Sequence, residues 1–318
     1  MIKVKNLIIE KPDLQIKDLE IDDHTVVIGP SGAGKTTFLR CIAGLEKYSG
    51  EIYIDGELKT QVGSERGVSM AWQDGRLLPN FNVRANIEMG GQPDFIEHMC
   101  NLFKVHNLLD KMPHELSGGE AQRINIIRAI CSPAKVVLLD EPMQGIDPII
   151  VRKTLKQLLH ELKKYDKIAL LVTHELYQVY GLFDNAIVIK NGEMVAYDGL
   201  RSLYDNPLSP WMANFFGAYT VLNKEDLRNF EHHSNEDPCM VRPEWFKIKV
   251  SPFKKPLEFN ATVTGVHWDG PSTKVSLVLD GTNKPLAVEL YADYEIKKGD
   301  RVYVNFKKSS RPDWVLNR

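Results

Sequence analysis

Two runs in this chain could each close around a phosphate, and they stand far apart in sequence. The first is Gly29, Pro30, Ser31, Gly32, Ala33, Gly34, Lys35 and Thr36, with the spacing glycine, four residues, glycine, lysine and a hydroxyl side chain. Glycines here let backbone N–H groups approach phosphate oxygens, Lys35 can reach terminal phosphates, and the Thr36 hydroxyl can ligand Mg²⁺. Thr37 carries the run onward. The second is Leu116, Ser117, Gly118, Gly119, Glu120, Ala121, Gln122 and Arg123. A serine and two glycines ahead of a helical stretch offer a hydroxyl and free N–H groups to an anion, and they also suit a plain turn.

Four further side chains could act on what the first run holds. Asp140 and Glu141 close the apolar run Val136, Val137, Leu138 and Leu139. Asp140 can support a metal beside Thr36, and Glu141 can polarise a water for attack on a γ-phosphate. His174 follows the apolar run Ile168 to Val172 and could donate to the same phosphate. Gln73, in the segment MAWQDGRLLPNF, could complete a metal shell or orient water. Each has a plainer reading when taken singly: solvated strand-end acids, a satisfied histidine, a surface glutamine.

The elements that must position these groups follow from the flanking residues. Val26, Val27 and Ile28 read as a buried strand, and Thr37 to Ala43 as a helix, so the first run joins a strand end to a helix start. A strand apolar at every position, as at 136–139, is covered on both faces and belongs inside a parallel sheet. Open α/β sheets bind ligands at the carboxyl ends of such strands. Asn191 and Gly192, between Ala186 to Ile189 and Met194 to Ala196, mark a hairpin. Residues 76–130 read as more helical, with a helix from Glu120 to Ile130, and Leu200 to Phe216 as helical pieces around Pro207 and Pro210.

Taken together, these segments resemble the ATPase subunit of ABC transporters, in the family's order, from the N-terminus to about Phe216. The resemblance implies an α/β P-loop NTPase with a mixed sheet and a helical subdomain at about 76–130. It makes Gly29 to Thr37 the ATP loop, and Lys35, Gln73, Glu141 and His174 the catalytic set. Mg²⁺ would be held by Thr36, Gln73 and Asp140. Ser117, Gly118, Gly119 and Gln122 become signature groups contacting the ATP of a second copy, and Asp147 a link between the two sites. Such a pair is isologous, so one twofold axis closes both sites. The implied partners are that second copy, an integral membrane permease received near Leu77, Leu78, Pro79 and Phe81, and indirectly an external solute-binding protein. The position 9–16 lacks the aromatic that usually stacks on adenine, offering Pro12 and Leu14.

Composition agrees. Lysine plus arginine number 40 against 42 acidic residues, a net charge of −2, which does not suit a nucleic-acid footprint across the whole protein. No apolar run approaches the roughly 18 residues of a membrane helix, and the start lacks the apolar core of a secretion signal. The expected place is the cytoplasmic face of the membrane, held through the permease. Cys41, Cys100, Cys131 and Cys239 show no metal or redox spacing.

Character shifts near Gly217, giving an ATPase domain at 1–217 and a second domain at 218–318. Period-two alternation at Phe259 to Val263, Val275 to Leu279, Leu286 to Leu290 and Val302 to Phe306 predicts a small all-β barrel of the OB kind. It resembles the transport-associated OB domain of importers, with Val241, Arg242, Pro243 and Glu244 opening it. Trp268, Tyr291, Tyr294, Tyr303 and Trp314 could stack bases, but no dense basic run accompanies them, and no nucleic acid is expected. The segment Gly75 to Pro79 and Glu120 resemble molybdate or related oxyanion importers more than sugar importers. The resemblance to the importer group implies a small solute such as molybdate or a related oxyanion, or iron, as cargo. The alternative is a non-transport ABC ATPase acting on nucleic acid or ribosomes.

Overall fold

Apolar residues alternate with polar ones near the N-terminus and run unbroken further on, and one sheet accommodates both patterns. The computed structural model describes residues 1–10, 13–60, 63–89, 93–143, 148–223, 239–249, 259–270, 272–280, 285–290 and 295–306. Strands β1 (Ile2–Glu10), β2 (Asp13–Ile16), β3 (Leu19–Ile21) and β4 (Thr25–Ile28) lead into helix α1 (Lys35–Ile42). Strands β5 (Ser49–Ile54), β6 (Glu57–Leu58) and β7 (Val68–Ala71) follow. A helical stretch of α2 (Val83–Glu88), α3 (Pro93–Phe103) and α4 (Gly118–Cys131) precedes β8 (Val136–Asp140). Then come α5 (Pro148–Lys164), β9 (Ile168–Val172), α6 (Leu176–Val179), β10 (Asn185–Lys190) and β11 (Glu193–Gly199).

The sheet runs β6-β5-β1-β2-β11-β10-β4-β9-β8-β7, with β3 also on β1. From β10 to β7 every neighbour is parallel, and here β4 and β8 are buried at each position. The partners of β1 are all antiparallel. Because β4, β7, β8 and β9 are parallel, their carboxyl ends share one edge, where Gly29, Gln73, Glu141 and His174 emerge. The β10–β11 turn has φ 50° at Asn191 and 80° at Gly192, as a two-residue type I′ hairpin requires.

At the opposite edge, His24 joins three elements. Its Nε2 donates to Leu159 O at 3.1 Å and its Nδ1 accepts from Ala169 N at 3.0 Å, so the ring is a neutral tautomer. Burial holds its pKa below the usual 6.5, against the opposing pull of the Leu159 carbonyl and Asp23 and with help from Lys163. A proton on Nδ1 would face the Ala169 N–H. The unfolded chain therefore binds that proton more readily, and stability falls as pH drops below about 6.5. His24→Leu is expected to cost about 1–3 kcal/mol at neutral pH, by leaving both backbone groups unpaired. Thermal melts from pH 7 to pH 5 should show a shallower loss for the variant than for the wild type.

The chain packs as two compact units, Met1–Ser202 and Leu203–Arg318. That division falls inside α7 (Leu200–Asp205), upstream of the Gly217 boundary suggested by composition. The cause is Arg242, fully buried, which donates to the carbonyls of Tyr204, Ala213, Gly217 and Ala218. Helix α8 (Pro210–Phe216) is thereby tied into the C-terminal unit, and Pro210 starts it behind the Ser209 cap. Strands β12 (Thr220–Leu222) and β13 (Cys239–Val241) pair there.

Five more strands, β14 (Phe246–Lys249), β15 (Phe259–Asp269), β16 (Ser272–Leu279), β17 (Pro285–Leu290) and β18 (Arg301–Phe306), form an antiparallel sheet in the order β14-β18-β15-β16-β17. Val275, Leu277 and Leu279 point into its core, as their alternation predicted. Among the described residues no ladder joins β14 to β17. Trp268 is exposed, and Tyr291, Tyr294 and Trp314 lie outside the described residues. Burial pushes the thiols of Cys41 and Cys131 up to about 12 and that of Cys100 to about 11, leaving them inert. Among the described residues no helix is long and apolar enough to cross a membrane.

Candidate functional site

The loop between β4 and α1 is shaped by its glycines. Gly29 has φ 155°, and a Cβ there would lie 2.0 Å from Ile189 O, so the loop starts hard against the end of β10. Gly34, at φ 102°, is the N-cap of α1 and supplies no side-chain cap. Backbone N–H groups of the first turn are thus left for an anion, where the helix dipole adds positive potential. The β10–β11 turn braces the loop from behind: Gly192 N donates to Ala33 O at 3.1 Å, and Gly192 O accepts from Gln15 N at 2.6 Å. Leu14 is buried under Gly34 and so presents no face to a base, while Pro12 lies outside the described residues.

Lys35 is only 6% exposed and folds back into the loop, donating to Gly29 O and Pro30 O at 2.8 Å each. Burial lowers its pKa, with Glu141 and Asp140 acting the other way. Two neutral carbonyls are modest partners for a buried ammonium, and an anionic ligand would be a better one.

Asp140, at the end of β8, is 2% exposed and accepts from Thr36 Oγ1 at 3.0 Å. Burial raises its pKa, the Thr36 bond lowers it, and Glu141 raises it further. A buried carboxylate with a cation-ligating hydroxyl beside it is a suitable donor pair for a hard cation such as Mg²⁺. Uncapped amides, a desolvated lysine and this hydroxyl–carboxylate pair therefore fit an Mg²⁺-nucleotide.

Glu141 leaves the strand with φ 45°, an uncommon conformation for a side chain with a Cβ, while its N–H still donates to Val172 O at 3.0 Å. The turn aims its carboxylate across to β9, where Oε1 lies 2.9 Å from His174 Nδ1. His174 Nε2 lies 3.4 Å from Glu175 Oε1, and Glu175 N is held by Thr173 Oγ1 at 2.9 Å. Glu141 and His174 can thus share a proton at the edge that carries Lys35 and Asp140.

Gln73 is exposed on the loop after β7. That loop is pinned to α4: Asn125 Nδ2 donates to Trp72 O at 2.8 Å and Arg128 Nη2 to Arg76 O at 2.5 Å. Asn86, fully buried, holds Leu78 and Phe81 through its amide. Sequence reading missed all three scaffold residues. Their only local signal is polar residues interrupting a buried helix face.

Ser117 caps α4 in a reciprocal capping box, its N–H and Oγ both donating to Glu120 Oε2 at 2.8 Å. These bonds hold the Glu120 carboxyl below its usual pKa. The serine and Gly118 are exposed, but Gln122 is not: it is 3% exposed and lies beneath Gly75. It therefore stands apart from the exposed lip that was expected to include it. The turn that carries Ser117 on its rim buries the position five residues on, because a helix has turned that side chain inward. Asp147 lies outside the described residues.

A glycine loop between a buried parallel strand and a helix, with paired carboxylates at the end of β8, separated from β4 by β9 alone, defines a P-loop ATPase. Residues 14–144 match the family described as ABC transporter. A sulfate/thiosulfate import ATP-binding protein from Synechocystis is 32% identical over 255 residues, 73% of this chain and 71% of the relative. The chain belongs to the ABC transporter family as an ABC ATPase. An sn-glycerol-3-phosphate import ATP-binding protein from Bartonella bacilliformis is 33% identical over 258 residues, 74% of this chain and 73% of the relative. A molybdate/tungstate import ATP-binding protein from Pyrococcus abyssi is 27% identical over 344 residues, 98% of this chain and 99% of the relative. Among solved structures, a dimeric bacterial ABC transporter cassette aligns with TM-score 0.55 at 25% identity, covering 63% of this chain and 99% of that one.

Proposed function

We propose that this chain is the energy-coupling ATPase of an import system, working as a twofold pair around two ATP molecules and driving a separate membrane permease. The observation that carries the reading is the cluster of Lys35, Thr36, Asp140, Glu141 and His174 at one sheet edge, with two direct side-chain bonds inside it. Relatives named as import ATP-binding proteins support the coupling role. The alternative acting on nucleic acid or ribosomes draws no support from them.

In this reading Gly29 to Thr37 bind the triphosphate and Lys35 exchanges its two carbonyl partners for phosphate oxygens. Thr36, Asp140 and Gln73 would hold Mg²⁺, which supplies charge neutralisation at the β- and γ-phosphates when bound. Glu141 takes the proton of the attacking water, and His174 positions that carboxylate and donates toward the γ-phosphate. Ser117, Gly118 and Gly119 serve the partner copy's nucleotide, for which Ser117 must turn from Glu120. Asp147 relays between the two sites. Leu78 and Phe81, both exposed, face the permease. The C-terminal unit is an OB-like regulatory domain, the cargo is a small oxyanion such as molybdate, or iron, and an external binding protein delivers it. The protein works at the cytoplasmic face of the membrane, peripherally.

Affinity capture of the full chain from detergent-solubilised membranes is expected to recover a multi-span permease. Recovery of ribosomes in its place would overturn the proposal.

A further inference from the structure

Three polar residues spaced three apart on α4, namely Gln122, Asn125 and Arg128, turn toward the loop that follows β7. Two of them are bonded to it, Asn125 through Trp72 O and Arg128 through Arg76 O. Gln122 is the exception. It is 97% buried, and neither its Oε1 nor its Nε2 has a hydrogen-bond partner. It lies directly against the same loop, since a Cβ on Gly75 would fall 3.3 Å from both Gln122 N and Gln122 Oε1. Gly75 itself holds φ 60°, a left-handed conformation two residues after Gln73.

A primary amide carries two donors and an acceptor, and burying it without partners destabilises the fold. A hydrophobic residue would serve better here if the loop had one arrangement only. We infer that Gln122 is a latch for the loop carrying Gln73. Its amide is unpaired in the present arrangement and takes backbone groups of the 73–76 segment when Gln73 is drawn toward the bound Mg²⁺-nucleotide. Gln122 is then a positioning residue rather than a contact to the partner's ATP. Asn125 and Arg128 act as the hinge side of the loop, holding its two ends while the middle shifts. The inference rests on the proposed role of Gln73 at the metal.

The test is Gln122→Met in the full chain, which keeps length and apolar volume but removes the amide. Without nucleotide the melting temperature is expected to rise by about 2–4 °C. The KM for ATP should stay within about twofold while kcat falls about tenfold, the split expected of an interaction made after binding. Hydrogen exchange of residues 72–78 should slow on adding MgATP to the wild type and stay unchanged in the variant. A lower melting temperature, including failure to fold, would overturn the latch by showing that the amide is already bonded. A raised melting temperature with unchanged kcat would overturn it as well. Wild-type protein that binds ATP with no change in loop exchange sinks the latch alone, and wild-type protein that does not bind ATP sinks the functional reading beneath it.

Discussion

Glu141→Gln is expected to slow ATP turnover by about 10²–10⁴-fold while leaving ATP binding intact, so that an ATP-loaded dimer accumulates. The substitution isolates the proton-accepting role because nearly everything else is retained. Glutamine has the same length and the same tolerance for φ 45°, and its amide can still bond His174 Nδ1, which lies 2.9 Å from the carboxylate. The N–H bond to Val172 O is a backbone contact and survives unchanged. What disappears is the oxygen that can take a proton from water.

Two measurements check this result. Phosphate release under saturating MgATP reads the chemistry, and size-exclusion chromatography with and without MgATP reads the dimer. A variant that hydrolysed ATP at the wild-type rate would remove Glu141 from the role of base. A variant with slow hydrolysis that remained monomeric in MgATP would keep the base but remove the shared-nucleotide dimer. The strained backbone at Glu141 belongs to the same argument. A side chain held in the left-handed region costs about 1–2 kcal/mol, and the ladder bond to β9 keeps it there, aimed at His174.

Those residues were legible in sequence because their signals are local. A run of apolar residues ending in two acids reads as a covered strand with carboxylates at its exit, and β8 is such a strand. The Asn191–Gly192 pair marks a turn through a conformational need that few residues meet. The four alternating strands of the C-terminal unit follow from the two-residue repeat of a half-buried sheet.

Side chains that act across long sequence separations carry no such signal. Arg66 is nearly fully buried and caps α1 through Cys41 O and Ile42 O, at 3.0 and 3.1 Å, yet in sequence it is one charge in a polar stretch. Arg242 binds carbonyls on α8 and its exit, which moves the division between the units away from the change in composition. Asn86, Asn125 and Arg128 hold the Gln73 loop through backbone carbonyls, whose positions depend on tertiary structure. Gln122 shows the same limit at the site itself. Motif membership suggested a ligand contact, while the helix phase that buries it under Gly75 depends on where the neighbouring loop lies.

The glycines of the phosphate loop separate local need from tertiary need, and this leads to the second large effect. Gly29→Ala is expected to weaken ATP binding by more than about 100-fold and to lower the melting temperature, because its Cβ would fall 2.0 Å from Ile189 O and 3.1 Å from Ile189 C. Neither atom can yield: β10 pairs with β4 up to Val188 and Ile28, one residue before the collision, so relief must distort the sheet or lift the loop. Gly32→Ala is the control, since a Cβ there meets no protein atom within 4 Å and strains only a φ of 76°. Its melting temperature should fall by no more than the equivalent of about 1–2 kcal/mol, whatever it does to ATP affinity. Isothermal titration with a non-hydrolysable ATP analogue and thermal melts on both variants decide the matter. If Gly29→Ala bound the analogue as the wild type does, the phosphate cradle would lie elsewhere. If both variants lost stability equally, backbone conformation would outweigh the approach of β10. Loss of binding and stability together at Gly29, with stability kept at Gly32, would show that the end of β10 sets the depth of the nucleotide cradle.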